Sequence, residues 1–88
     1  RELIILSNGR FLMEPYQNRS GRSGIIAYQI FEDSILVVFK SGKYKNYLCT
    51  YSATGKNSVE HMKKLATDGM GLNAYISSVV KGNYEEKW

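Results

Sequence analysis

Cysteine and histidine are almost missing from this chain, with one of each, Cys49 and His61, in 88 residues. A lone cysteine excludes an internal disulfide framework and gives no sign of an oxidising compartment, so the expectation is a cytoplasmic protein. A Cys–His nucleophile needs both side chains within hydrogen-bond reach and a third group to orient the base. Strand alternation sets Cys49 on the face shared with Lys45 and Tyr47, whereas His61 falls on a helix assigned to the opposite face. No catalytic residue is assigned, and the chain reads as non-enzymatic. No zinc-type Cys/His spacing occurs, and the carboxylates are scattered apart from Glu32-Asp33 and Glu85-Glu86. No metal or other cofactor is therefore expected. Long apolar runs are lacking too. Residues 25–27 and 35–39 fall far short of the ~20 that a membrane helix needs, so no membrane partner is expected. Residues 3–6 are too short for a signal-peptide core.

What remains is an ordinary folding composition, 43% hydrophobic with a net charge of +4. It suits one domain over residues 1–88 with a two-layer core. The centre is 34–51. Apolar, β-branched 35–39 (ILVVF) and strand-like 43–49 flank Ser41-Gly42, the kind of two-residue connection that favours a tight hairpin. That turn pairs Lys40 with Lys43, Val38 with Lys45, Val37 with Asn46, Leu36 with Tyr47 and Ile35 with Leu48. Alternation then puts Ile35, Val37, Phe39, Tyr44 and Leu48 on a core face. Leu36, Val38, Lys40, Lys43, Lys45 and Tyr47 take the outer one. Residues 24–30 continue the phase through Glu32-Asp33: Ile30 faces Ile35, Tyr28 faces Val37 and Ile26 faces Phe39. Ile25, Ala27 and Gln29 turn outward, so a charge at Val37 should unfold the domain and one at Gln29 should be tolerated.

Before this meander, residues 2–6 and 11–13 flank Asn8-Gly9, a strong hairpin signal. Such an N-terminal hairpin either adds edge strands or covers the outer face. Residues 14–23 (EPYQNRSGRS) hold the only proline, and Arg19 and Arg22. They read as a solvated connector, with a phosphate clamp as the sharper alternative. After 52–57, Asn57 or Ser58 can cap a helix carrying Val59, Met62 and Ala66 at helical spacing, with Gly69 as a left-handed stop. A second helix near 72–81 aligns Leu72, Ile76, Val79 and Val80. Gly69-Met70-Gly71 reads as a corner between helices rather than a phosphate loop, because no strand precedes it. The predicted fold class is α+β: a three-stranded antiparallel meander, two C-terminal helices on one face, and an N-terminal β-hairpin.

Several of these residues recur in a known order. The run 23–39 (SGIIAYQIFEDSILVVF), Lys40-Ser41-Gly42, Tyr44 and Tyr47, Gly69-Met70-Gly71, Asn73 and Tyr84 resemble the KTSC domain. That small domain is named for the C-terminus of some lysyl-tRNA synthetases and also occurs free-standing. The resemblance runs from about Ser23 to Tyr84 and leaves 1–22 outside. It implies a small α+β fold, and the synthetase association implies RNA as a partner. The family's Tyr-x-Tyr is one residue longer here, so Tyr44 and Tyr47 alternate to opposite faces unless a bulge intervenes.

The outer hairpin face is the best candidate site: Lys40, Lys43, Lys45 and Tyr47, extended by Arg19 and Arg22 if the loop folds over it. Lysines supply salt-sensitive affinity for phosphates, and an exposed tyrosine stacks a base. An anion would relieve the cross-strand repulsion of Lys40 and Lys43. The expectation is binding of RNA or another single-stranded nucleic acid. The rival is a protein-interaction or homodimer module built on Leu36, Val38, Tyr47 and the first hairpin. The plainest reading is that the lysines solubilise a hairpin tip and guard an edge.

Overall fold

β-Branched and aromatic residues suit a pleated, half-buried surface, and the centre of the chain is rich in them. The computed structural model describes residues 13–88. Along the chain come β1 (Glu14–Pro15), β2 (Ile25–Ile30), β3 (Ser34–Phe39), β4 (Asn46–Thr50), α1 (Tyr51–Thr54), α2 (Lys56–Asp68) and α3 (Leu72–Tyr75). A π-helical turn (Ile76–Val80) and β5 (Glu86–Lys87) follow. The strands form one antiparallel sheet in the order β1-β2-β3-β4-β5. The fold is α+β, with five strands among the described residues where the sequence predicts three in the meander. β1 and β5 are two-residue additions at its edges, and Pro15 is tolerated because an edge strand need not donate on both sides. The hairpin expected around Asn8-Gly9 lies outside the described residues.

Two registers depart from expectation, each by one residue. Between β2 and β3, Ile30 pairs with Ile35 and Tyr28 with Val37, but a bulge between Ile25 and Ala27 sets Ile25, not Ile26, against Phe39. The extra residue reverses the phase. Ile25 is buried and Ile26 half exposed. Between β3 and β4, Val37 pairs with Tyr47, Val38 with Asn46 and Ile35 with Cys49. The connection is longer than a two-residue turn: the Phe39 amide donates to the Lys45 carbonyl at 2.7 Å. Gly42, with φ +115°, lies in the middle of the loop so enclosed. A one-residue slip exchanges the faces of a whole strand. Cys49 and Tyr47 therefore join Val37, and Leu48 crosses to the other side.

The main core lies between the sheet and the helices. Ile25, Tyr28, Ile35, Val37 and Cys49 pack against Val59, Met62 and Ala66 of α2, with Leu72, Val80 and Tyr16 closing it. Full burial of such a side chain stabilises by about 1.5–3 kcal/mol. The opposite face is not open to water. Gln29, Leu36 and Leu48 stand in one row across β2, β3 and β4 and are buried, Gln29 completely. Tolerance of a charge at Gln29 is therefore not what this structure supports.

Neither Asn57 nor Ser58 caps α2. Thr50 accepts from the Ala53 amide to start α1, and Gly55, with φ +100°, separates α1 from α2. Gly69 ends α2 in the left-handed conformation, as its position in the sequence predicts. Beyond α3 the Lys81 amide reaches the Ile76 carbonyl, widening the last turn. The extra residue in that turn carries Val79 outward, half exposed, and brings Val80 into the core.

Candidate functional site

The start of β2, the end of β3, the start of β4 and β5 meet at one end of the sheet. Because β4 pairs Tyr47 with Lys87 of β5, those two share the helix-bearing face. Tyr47 forms the middle of an aromatic row. Its ring lies 5.3 Å from Phe39 and 5.2 Å from Tyr84, both edge-on, a favourable quadrupole arrangement. The Lys87 ammonium stands 4.6 Å from the Tyr44 ring centre and 5.4 Å from that of Tyr84, and Lys43 approaches Tyr44 at 5.5 Å. These are cation–π distances. Lys87 is held above the ordinary lysine range, first by a hydrogen bond with Tyr84 and then, against the opposing effect of desolvation, by electrostatic interaction with Tyr84, Tyr47 and Tyr44. It stays an ammonium ion throughout the physiological range. The Trp88 carbonyl accepts from the Lys45 and Asn46 amides, and its amide donates to Asn46, fixing the tail against the 40–45 loop.

The residues singled out in the sequence divide into two groups. Lys40, Lys43 and Lys45 are exposed in or beside the 40–45 loop. The longer loop removes the Lys40–Lys43 cross-strand pair. Tyr47 is not on the outer face; the register turns it toward Phe39 and Tyr84, half-buried. Arg19 and Arg22 do not extend the lysine group but lie at the Gly69–Gly71 corner. The Arg19 amide donates to the Gly69 carbonyl at 2.7 Å, and Arg22 borders a cleft with Gly71 and Asn73. The rival surface is also dispersed, because Leu36 is buried and Tyr47 faces the other way.

Sequence reasoning missed Tyr44, Tyr84 and Lys87 as site members. Period-two spacing within 84–88 is the only signal there, and a two-residue strand is too short to announce itself.

Loop 16–24 is not a loose connector. Asn18, in the left-handed conformation, accepts from the Ser23 amide at 3.0 Å and donates to its carbonyl at 2.9 Å. Cys49 is enclosed by the core, and burial pushes its thiol above the ordinary range, partly offset by a hydrogen bond with Thr54. His61 is exposed and rests 4.6 Å from the Tyr75 ring. The correct register thus takes Cys49 off the outer face and places it under the helices. No group of three metal-ligating side chains occurs among the described residues, and no helix there is long and apolar enough to cross a membrane.

Comparison with protein families, curated proteins and solved structures finds no match.

Proposed function

We propose that this domain is a non-enzymatic nucleic-acid-binding module that takes RNA or another single strand at the basic, aromatic end of its sheet. The observation that carries the reading is the grouping of Tyr44, Tyr47 and Tyr84 with Lys43 and Lys87. Ring faces accept any base by stacking, while lysines follow the backbone, so such a surface binds strands with little sequence preference. Lys40 and Lys45 add charge at its margin. The resemblance of residues 23–84 to the KTSC domain agrees with an RNA partner. The single, buried thiol suits a reducing compartment, and we place the domain in the cytoplasm.

A labelled single-stranded RNA and its DNA counterpart, titrated at two salt concentrations, test this. Three phosphate contacts to a single strand predict roughly a twentyfold loss of affinity between about 50 mM and about 200 mM salt. The double substitution Lys43→Ala with Lys87→Ala should weaken both complexes. Affinity indifferent to salt, or to that substitution, rejects the reading.

A further inference from the structure

At the Gly69–Gly71 corner, apart from the group of Tyr44, Tyr47 and Tyr84, a cleft of about 340 Å³ is lined by Tyr16, Ser20, Arg22, Ser23, Met70 and Asn73, with Gly71 and Ala74 completing it. Its volume is within the range of small-ligand sites, roughly 300–1,000 Å³. The hydrogen bonding of its walls is one-sided. The Tyr16 hydroxyl accepts from the Leu72 amide at 3.3 Å, Ser20 Oγ from the Arg22 amide at 3.3 Å, and Ser23 Oγ from the Ile25 amide at 3.1 Å. Each hydroxyl oxygen is thus engaged by the main chain, and each keeps a proton to donate. Tyr16 is more than nine-tenths buried, and its hydroxyl proton has no acceptor among the described residues. The Arg22 guanidinium and the Asn73 amide also lack partners among the described residues, and no carboxylate lines the cleft. Five side chains with donors to spare and no acidic neighbour call for a ligand rich in acceptors.

We propose that this cleft binds a terminal phosphate group, either free or carried on a monoester. A phosphate group presents three terminal oxygens that each accept more than one hydrogen bond, which a two-oxygen carboxylate does not. Arg22 supplies the charge-assisted contact. The Tyr16 ring, Met70 and Ala74 form the apolar remainder of the wall, suited to the base of a nucleotide. The site is held in shape without ligand, because Asn18 clamps Ser23 and the Gly21 amide closes onto the Asn18 carbonyl at 2.9 Å. This inference stands apart from the strand-binding surface and does not depend on it.

The test is a set of NMR titrations of the full chain with inorganic phosphate, ribose 5-phosphate, adenosine 5′-monophosphate and adenosine. Saturable shifts at the Ser20, Ser23 and Gly71 amides are expected with the phosphorylated compounds and not with adenosine. Arg22→Gln, at an exposed position, should weaken binding about tenfold or more. Asn73→Asp should abolish it by repulsion, and Lys43→Ala should leave it unchanged. Tighter binding of the nucleotide than of inorganic phosphate identifies a nucleotide as the source, and equal binding identifies free phosphate. Absence of saturation, adenosine binding as tightly as its monophosphate, or equal losses in Lys43→Ala and Arg22→Gln overturns the proposal. The oligonucleotide salt titration is decided separately, so either proposal can fail alone.

Discussion

Gly69 and Gln17 share a space with no room for a methyl group. A Cβ placed on Gly69 would lie 2.6 Å from Gln17 Cβ and 3.2 Å from its Cγ. Gly69 also has φ +78°, a conformation that costs an L-residue about 1–2 kcal/mol. Gly69→Ala therefore carries both a backbone and a packing penalty and should lower stability by about 2–4 kcal/mol. Removing the opposing side chain separates the two: Gln17→Gly combined with Gly69→Ala should recover the packing part and retain the backbone part. Urea melts of the single and double variants check this. A double variant no more stable than Gly69→Ala would mean that the close approach has no energetic weight.

Gln29 is fully buried and is an energetic weakness of the fold. Among the described residues neither its side-chain nitrogen nor its oxygen has a hydrogen-bond partner, and it lies in the apolar row with Leu36 and Leu48. An unpartnered buried amide costs roughly 1–3 kcal/mol. Gln29→Leu should raise stability by about 1–2 kcal/mol, whereas Gln29→Lys should lower it by about 3 kcal/mol or prevent folding. Thermal melts compare the two. A lysine variant as stable as the parent would show that this face is open to water.

How far the sequence reveals the molecule depends on which signal each element carries. The α2 stripe of Val59, Met62 and Ala66, and its stop at Gly69, were legible because helical period and a left-handed glycine are local properties. The faces of β2 and β4 were legible only up to a parity. Ser41-Gly42 looks like a two-residue turn, but the loop closes at Phe39 and Lys45, and that residue's difference moved Tyr47 and Cys49 to the core side. The bulge at Ile26 is a second parity change that no turn residue marks. The candidate site suffered accordingly. Lys40, Lys43 and Lys45 were found from their place around Ser41-Gly42, while Lys87 and the tyrosine partners depended on the register and on the tail strand.

That tail supplies the sharpest check of the strand-binding surface. Lys87 is exposed and touches the Tyr44 and Tyr84 rings, so Lys87→Ala should leave the fold intact. The slope of log affinity against log salt should become shallower by about 0.7 if Lys87 contacts one phosphate of a single strand. Tyr44→Ala should cost about 1–3 kcal/mol of binding by losing a stacked base, with Tyr44→Phe close to the parent. Equal losses for Tyr44→Ala and Tyr44→Phe would assign the effect to the hydroxyl and remove stacking from the mechanism.

Alkaline pH should destabilise this domain, and Tyr51 is the reason that can be isolated. Its hydroxyl donates to Glu60 Oε2 at 2.6 Å and also lies 3.1 Å from the Glu32 carbonyl. The Glu60 bond, with burial and then the charges of Glu60, Asp33 and Glu32, pushes the phenol up to about 12. Cys49 is raised chiefly by burial, and Tyr28 by burial and then by Glu14. Each of these groups is neutral when protonated and holds its proton more tightly in the folded chain than in the unfolded one. Their contribution is therefore complete below the unfolded values, roughly 8.5 for cysteine and roughly 10 for tyrosine. It is lost as pH rises through the folded values, which for Tyr51 means between its ordinary value and about 12. Urea midpoints measured across that window should fall in the parent and fall less steeply in Tyr51→Phe, which has no phenol proton to lose. Tyr51→Phe should also be weaker than the parent at neutral pH, having lost its bond to Glu60. Parallel alkaline limbs in the two proteins would show that the Tyr51–Glu60 bond does not persist in solution.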